Sequence, residues 1–309
     1  MKAVALHRYG GPDQLEYTDL PVPRVGPDSV LVRVKAAGVN PVDWKVAGGH
    51  LDAILDAHFP LVPGWDVAGV VERTGADAGE FSPGDEVIGY VRRDEAQHGT
   101  YAELVSAPVR TLARKPTALT WQQAAGLPLA GLTAHQCLKR LGLGEIARGK
   151  TVLVHAAAGG VGSMAVQLAA ALGARVIGTA GESNHAYLRE LGAEPVTYGD
   201  GLPGRVRALA PDGVDAALDF VGGEAVEVSQ KVLKDPGRVV SVVDTGVVEK
   251  GGAYLFVRPD REDLAALADR AEEGLLTVHV NRTLPLRDAA GAWRLSMSGK
   301  VRGKVVLEL

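Results

Sequence analysis

The feature that most constrains the fold is a glycine-rich turn between an apolar strand and an apolar helix. Residues 152–162 read VLVHAAAGGVG, and residues 163–172 continue with the apolar content of a buried helix. Glycines in such a turn let the backbone approach a phosphate, and the free N–H groups of the helix N-terminus face the anion. The turn therefore predicts a dinucleotide phosphate site with five contact residues, which are Ala157, Gly159, Gly160, Val161 and Gly162.

The turn departs from the G-x-G-x-x-G pattern because Ala157 stands at its first glycine, so a plain strand–helix turn is an alternative. Residues 174–180 (ARVIGTA) form a second apolar run after a helix of suitable length, which completes a βαβ unit and favours the phosphate site. Residues 152–174 also lack Asp, Glu, Lys and Arg, yet four glycines and Gln167 interrupt them. Two shorter elements are therefore predicted in place of a membrane span.

Composition indicates a globular chain of two domains. The chain has 309 residues, of which 46% are hydrophobic and 23% are charged. A formal net charge of -4 gives no general attraction to nucleic acid or to an anionic membrane. The single cysteine, Cys137, excludes an internal disulfide and fits a reducing compartment, and MKAVALHRYG has no apolar run of signal-peptide length. A soluble cytoplasmic protein is expected.

The pattern of short elements changes along the chain. Up to about Pro116 the sequence indicates a compact all-β domain, with apolar runs at 29–36, 66–72 and 86–90 between Pro and Gly turns. A helix is predicted at 122–141. Strands then alternate with helical stretches, which predicts a parallel sheet covered on both faces. The predicted strands of this part are 151–155, 175–179, 215–219, 239–243 and 253–257.

The end of the chain is predicted to return to the first domain. A helix is expected at 261–273, and the terminal strand at 303–309 (GKVVLEL) has the composition of the early β runs.

Several motifs outside the glycine turn carry a family resemblance. They are GVNPVDWK (38–45), PGWDVAGV (63–70), GDEV (84–87), GTYAE (99–103), GLPLAGLTA (126–134) and GKVV (303–306). With these motifs the chain resembles, over nearly its whole length, the zinc-independent quinone oxidoreductase (zeta-crystallin-like) branch of the medium-chain dehydrogenase/reductase superfamily. The resemblance implies an α/β chain with a GroES-like β domain (1–121 and 261–309) and a Rossmann doubly wound parallel sheet (122–260). It also implies NADPH in a cleft between the two.

By this resemblance Asn40, Asp43 and Asp66 are the polar candidates of the catalytic pocket, with the Asn40 amide facing the nicotinamide or the substrate. The alternative is structural: Asn40 and Asp43 would cap a turn, and Asp66 would accept a hydrogen bond. Zinc-dependent relatives carry a cysteine and a His-Glu pair in this region. Here Gly38-Val-Asn40 and Gly64-Trp65-Asp66 lack both, so no metal is expected.

The nicotinamide end of the cofactor is assigned to loops and to one helix. The turn DFVGG (219–223) contributes Phe220 and Val221, and the last predicted strand contributes Phe256 and Val257. Relatives approach the nicotinamide amide near Thr133. The alternative for Thr133 is a helix hydroxyl bonded to the preceding turn.

The second βαβ strand ends at Ala180, where sites specific for NAD place an acidic residue for the ribose 2′-hydroxyl. A 2′-phosphate would meet no carboxylate there, and Ser183, Asn184 and, by resemblance, Tyr198 would bond it. Glu182 counts against this reading. The sequence thus predicts NADPH over NADH.

The predicted activity is hydride transfer from NADPH to a small electrophilic substrate, a quinone or an α,β-unsaturated carbonyl. The sequence assigns no proton donor: Tyr101 is one candidate, and the alternative is that Tyr101 is a strand tyrosine packed in the core and that solvent supplies the proton. Two alternatives remain open: a noncatalytic NADPH-binding sensor or RNA-associated protein of the same fold, and an enoyl reductase of a biosynthetic pathway. A homodimer is expected through the edge strand at 253–257.

Overall fold

A computed structural model describes residues 1–309. Its strands, in chain order, are β1 Lys2–Ala5, β2 Glu16–Asp19, β3 Ser29–Val39, β4 Asp56–Val62, β5 Asp66–Thr74, β6 Glu86–Tyr90, β7 Glu95–His98, β8 Leu104–Pro108, β9 Leu112–Arg114, β10 Thr151–Val154, β11 Arg175–Thr179, β12 Ala193–Val196, β13 Ala216–Asp219, β14 Val239–Ser241, β15 Ala253–Tyr254, β16 Val280–Pro285 and β17 Lys304–Glu308. Its helices are α1 Pro41–Ala47, α2 Trp121–Gly126, α3 Pro128–Arg140, α4 Gly160–Ala171, α5 His185–Glu190, α6 Leu202–Leu209, α7 Ala225–Val232, α8 Arg261–Glu272 and α9 Ala289–Met297.

The chain divides into two compact units. The first unit comprises Met1–Leu132 and Arg258–Leu309, and the second comprises Thr133–Val257. The sequence-based domain limits, 121/122 and 260/261, remain a prediction, as does a cofactor cleft between the domains.

The first unit is built on a seven-stranded sheet. Its strand order is β16-β17-β3-β5-β6-β9, and β8 also pairs with β3. The valine-rich β3 is almost wholly buried, which explains its central place. The predicted return of the C-terminus is confirmed, because β17 pairs antiparallel with β3, with Val305 opposite Val39.

Two expectations about helices in this part of the chain were wrong. The early segment is not all-β, because α1 begins at Pro41, a residue whose fixed φ suits the first helical position. The helix predicted at 122–141 is two helices that break at Leu127. Pro128 has no N–H to donate to a carbonyl one turn earlier, so the hydrogen-bond pattern is interrupted there, although Leu127 keeps helical dihedral angles.

The second unit is a six-stranded parallel sheet in the order β12-β11-β10-β13-β14-β15. Counted from β10 this is the order 3-2-1-4-5-6, which confirms the doubly wound Rossmann fold. Apolar residues of the strands and of α6 and α7 form its core, among them Leu153, Ile177, Val206 and Val226. The last two strands are shorter than predicted, so Phe256 and Val257 lie beyond the end of β15.

No helix combines the length and the apolar content that crossing a bilayer requires. The apolar run at 152–174 is divided between β10 and α4, as the sequence predicts.

Candidate active site

The glycine turn lies between β10, which ends at Val154, and α4, which begins at Gly160. Ala156 adopts a φ of 53° and is the one non-glycine residue of the chain in the left-handed region. Two bonds to the neighbouring strand hold the turn: the Ala156 N–H donates to Thr179 Oγ1 at 3.1 Å, and the Ala157 N–H donates to the Thr179 carbonyl at 3.0 Å. The turn is therefore fixed to the end of β11.

Gly162 allows α4 to approach the strand closely. A Cβ on Gly162 would lie 2.2 Å from the Ala156 carbonyl oxygen and 2.7 Å from the Ala157 Cα, so no side chain fits there. A Cβ on Gly159 would meet the same carbonyl at 3.3 Å. Gly162 thus has the packing role that its place in the motif predicts.

Because α4 begins three residues earlier than expected, Gly160, Val161 and Gly162 form its first turn. The N–H groups of a first turn have no carbonyl one turn earlier to bond, and they are donors for an anion. The narrow turn and these donors fit the phosphates of a dinucleotide.

The residue that follows β10 is a histidine whose side chain bonds α7. His155 is buried, and burial lowers its pKa to about 4. Its Nε2 lies 2.9 Å from Ser229 Oγ, and Ser229 donates to the Ala225 carbonyl at 2.7 Å. Since the serine proton is used, the neutral imidazole donates through Nε2, which suits packing better than acid–base chemistry.

The residues predicted to contact a 2′-phosphate lie at one edge of the sheet. The strands β11 and β12 run parallel with Thr179 opposite Val196, and the Ala180 N–H donates to the Val196 carbonyl at 3.0 Å. Ser183 is exposed and Asn184 is half-buried in the turn after β11. Tyr198 follows β12 with 64% of its surface exposed. Its hydroxyl lies 4.0 Å from the position that a Cβ of Gly181 would take.

The turn at 219–223 is held by a buried carboxylate. Asp219 Oδ1 accepts from the N–H groups of Val221 and Gly222 at 2.9 and 2.8 Å, and Oδ2 accepts from Ser241 Oγ at 2.7 Å. Phe220 and Val221 are thereby fixed at the carboxyl end of β13, and Val221 is 57% exposed. Parallel α/β sheets bind ligands at this end of their strands.

The remaining cofactor candidates of the second unit are less exposed. Phe256 is half-buried and Val257 is buried just after β15, and Thr133 is buried in α3. Their roles at the nicotinamide remain predictions.

In the first unit, Asn40, Asp43 and Asp66 belong to one buried polar network. Asn40 Nδ2 donates to Asp66 Oδ2 at 2.9 Å, and Asp66 Oδ1 accepts from the Leu129 N–H at 2.7 Å. The Lys304 ammonium donates to Asn40 Oδ1 and to the Val39 carbonyl, and lies 3.6 Å from Asp66 Oδ2. Burial lowers the pKa of Lys304 and raises that of Asp66, and each group's charge opposes the shift of the other.

Asp43 lies next to this ion pair. Its Oδ2 accepts from the Asn40 N–H at 2.8 Å and from the Tyr101 hydroxyl at 2.9 Å, and Trp293 Nε1 donates to the Tyr101 oxygen at 3.3 Å. The other carboxylate oxygen of Asp43 is buried and has no hydrogen-bond partner. Burial raises the pKa of Asp43 to about 7 and holds the pKa of Tyr101 well above its usual value.

The structural alternative for these residues is visible in this network. Asn40 is the N-cap of α1 with Asp43 at the third helical position, and Asp66 is a hydrogen-bond acceptor. Asn40 is also only 2% exposed. The sequence interpretation missed Lys304, although a lysine at an inward position of the strand KVVLE was a usable signal.

Two domain families match most of the chain. Residues 26–117 match the alcohol dehydrogenase GroES-like domain, and residues 191–307 match a domain described as zinc-binding dehydrogenase. A chloroplast envelope quinone oxidoreductase homolog of Arabidopsis thaliana is 31% identical over 326 residues, covering 100% of this chain and 98% of that protein. An NADPH-dependent alkenal/one oxidoreductase of the same plant is 35% identical, covering 99% of this chain and 79% of that protein.

A solved structure agrees with these relatives. The quinone oxidoreductase from Coxiella burnetii superposes with a TM-score of 0.88 at 34% identity, covering 100% of this chain and 99% of that chain. The chain belongs to the quinone oxidoreductase family of the medium-chain dehydrogenase/reductase superfamily. It is therefore an oxidoreductase that binds a nicotinamide dinucleotide and acts on a small molecule.

This quinone oxidoreductase family member does not contain a metal-binding group of side chains, despite the description of the second matched domain. No three His, Cys, Asp or Glu residues lie close enough together to hold a metal ion. Cys137 is buried in α3, and burial raises the pKa of its thiol. A protonated buried thiol is a poor metal ligand.

Proposed function

We propose that this protein transfers a hydride from NADPH to a quinone or to an α,β-unsaturated carbonyl without a metal. The observation that carries the proposal is a dinucleotide phosphate turn in a chain whose carboxylates, imidazoles and thiol form no metal-binding group. Without a Lewis acid the acceptor must already be electrophilic, which favours quinones and conjugated carbonyls over simple ketones. The activities named for the two plant relatives agree with this substrate class.

The protein's part in such a reaction is to bind, orient and exclude water. The first turn of α4 binds the phosphates, while the turn at 219–223, the residues after β15 and Thr133 orient the nicotinamide. Bound NADPH supplies the hydride. Asn40 would offer its second Nδ2 proton to the acceptor.

The proton that follows the hydride is better supplied by solvent than by Tyr101. The Tyr101 hydroxyl is fully buried, donates to Asp43, and has a pKa well above the usual value for tyrosine. A group so held is a weak acid at neutral pH.

A preference for NADPH over NADH is supported by the groups at the end of β11. No carboxylate stands at Ala180, and hydroxyl and amide groups are present at Ser183, Asn184 and Tyr198. Titration of the two cofactors tests this. NADH binding as tight as NADPH binding would remove the proposed preference.

The activity is tested by following NADPH oxidation with a panel of quinones, enones and enoyl thioesters. We expect turnover with quinones and enones and none with simple ketones. Gly160→Leu should abolish cofactor binding, whereas Asn40→Ala should lower turnover on the order of tenfold with cofactor affinity kept. Tight NADPH binding without turnover on any acceptor would support the noncatalytic sensor instead.

Two further features belong to the proposal. Localisation to the reducing cytoplasm is supported by the single cysteine, which is buried and forms no disulfide. A homodimer is supported by the open edge of the sheet at β15.

A further inference from the structure

One arginine forms hydrogen bonds with the backbone of the loop that follows β12, residues 197–201. The Arg205 guanidinium donates to four consecutive backbone carbonyls: Nε to Thr197 at 2.9 Å, Nη1 to Asp200 at 2.8 Å, and Nη2 to Tyr198 at 3.3 Å and Gly199 at 3.1 Å. All of these acceptors are backbone atoms, so the side chain holds the path of the loop.

Without these hydrogen bonds the loop could adopt many conformations, because it contains two glycines. Gly199 and Gly201 have φ values of 88° and 77°, which glycine adopts at no steric cost, and glycine loses more freedom on ordering than other residues. The planar guanidinium has five donors in a rigid fork, so it can bond several carbonyls at once. A lysine ammonium is a point charge and cannot repeat this pattern.

The loop held by Arg205 contains an exposed aromatic residue that lies near the end of β11. Because β11 and β12 are parallel neighbours, the turns after them lie side by side at the carboxyl edge of the sheet. Tyr198 is 64% exposed there, and its hydroxyl is 4.0 Å from where a Cβ of Gly181 would lie. The adenosine ribose of a Rossmann cofactor is read at the end of this second strand.

We propose that Arg205 is a positioning residue for cofactor choice: by bonding the carbonyls of residues 197–200 it holds the Tyr198 hydroxyl where it meets the ribose 2′ substituent. The inference rests on the proposed use of NADPH. Arg205 itself contacts the loop and not the cofactor.

The expected consequence is selective. A loop that is already ordered loses little entropy when a 2′-phosphate binds, whereas a released loop must be ordered by the ligand. NADH has no 2′-phosphate, so its affinity should depend little on the loop.

The test uses Arg205→Met and Arg205→Lys in the full chain. The control is Arg207→Met, because Arg207 lies on the same helix and donates to the Lys231 carbonyl, away from the loop. Calorimetric titration with NADPH and NADH, and with 2′,5′-ADP and 5′-AMP, measures discrimination without turnover. We expect both Arg205 variants to bind NADPH and 2′,5′-ADP about tenfold more weakly, which corresponds to the loss of roughly one charge-assisted hydrogen bond, that of the Tyr198 hydroxyl with the 2′-phosphate. The affinities for NADH and 5′-AMP should change less than twofold.

Four results would overturn the inference, the last of them from a further variant, Tyr198→Phe. Arg205→Lys with wild-type discrimination would show that charge alone acts. Equal losses for both cofactors, or equal losses in Arg207→Met, would show a general structural effect. Tyr198→Phe with unchanged discrimination would show that the tyrosine hydroxyl does not read the phosphate.

Failure of the proposed function gives different results. A wild-type protein that binds 2′,5′-ADP no better than 5′-AMP contradicts the proposed cofactor before any variant is compared. If the protein binds NADPH but turns over no acceptor, the proposed activity fails, and the binding titrations still test the role of Arg205. Hydrogen exchange adds a direct readout: amides 198–201 should exchange faster in Arg205→Met while those of β10 and β11 keep wild-type rates.

Discussion

At the scale of single residues, the buried ion pair of Lys304 and Asp66 gives the sharpest expectation. Replacing Lys304 with methionine keeps its length but leaves Asp66, which is fully buried, without the ammonium. Removing one partner of a buried pair costs about 3–5 kcal/mol because the other charge stays uncompensated. We expect a loss of that order in the free energy of unfolding, measured by urea denaturation.

The matched control for this change is Lys304→Met combined with Asp66→Asn. The asparagine can still accept from the Leu129 N–H, and no uncompensated charge remains. The double variant should recover much of the lost stability, as neutral replacements of buried pairs often do. A double variant less stable than Lys304→Met would contradict the assignment of a charged pair.

Asp43 gives a pH dependence whose sign follows from burial. Its pKa is raised to about 7, above the unfolded value near 4. Between these values the folded protein holds a proton on Asp43 that the unfolded chain releases. The contribution of Asp43 to stability is therefore full below about pH 4 and is lost as pH rises through 7. The fall is on the order of 4 kcal/mol over this range.

Asp43→Asn should remove this contribution, since an amide oxygen can accept the same two bonds from Asn40 and Tyr101. The pH slopes of the unfolding free energy in wild type and variant are to be compared from pH 5 to pH 8. Asp66, whose pKa is also raised, contributes to both slopes. The charge of Asp66 raises the pKa of Asp43, so the difference between the slopes reports Asp43 together with this interaction. Identical slopes would show that Asp43 is ionised throughout.

The same residues show how far the sequence predicts a site. Asn40, Asp43 and Asp66 stood out because they lie in recognisable motifs, and the structure places all three in one network. Lys304 also lies in a motif, GKVV (303–306), but its link to the other three was missed because it lies 264 positions from Asn40. A lone lysine in an apolar strand has no local pattern that names its partner. Only the pairing of β17 with β3 brings the two together.

At the scale of elements, strands with strong apolar runs were predicted closely, and breaks between elements less well. The bounds of β6 and β11 agree with the sequence. The junction at Leu127 was missed because the apolar pattern of 122–141 continues across it. The missing N–H of Pro128, not hydrophobicity, divides that segment.

The turn between β10 and α4 offers a matched pair of glycine substitutions. Gly162→Ala would place a Cβ 2.2 Å from the Ala156 carbonyl, whereas Gly159→Ala would place one at 3.3 Å from the same atom. The first must move the backbone of the turn, while the second requires a shift of a few tenths of an ångström. We expect Gly162→Ala to weaken NADPH binding on the order of a hundredfold and Gly159→Ala roughly tenfold or less, measured by titration.

Equal effects would contradict the packing role given to Gly162. Circular dichroism and the midpoint of thermal unfolding serve as controls, because a variant that fails to fold also fails to bind. If Gly162→Ala proves unstable, its ratio of NADPH to 5′-AMP affinity at low temperature still reports the turn.

At the scale of the whole molecule, the two edges of the parallel sheet differ in their capacity to pair. The edge strand β12 contains Pro195, and Glu194 on it bonds the Arg175 guanidinium. Proline and charge are the usual protections of an edge. The opposite edge, β15, carries neither.

The geometry of β15 supplies a test of pairing through this edge. The Leu255 N–H bonds the Ser241 carbonyl of β14, and bonding directions alternate along a strand, so the Tyr254 N–H faces the open edge. Tyr254→Pro removes that donor without removing a bond to β14, and Tyr254→Ala keeps it. We predict a homodimer for wild type and for Tyr254→Ala, and a dimer at least tenfold weaker for Tyr254→Pro. Light scattering across micromolar concentrations measures the dimer affinity. A monomeric wild type would contradict the homodimer, and a Tyr254→Pro dimer of unchanged affinity would place the interface elsewhere.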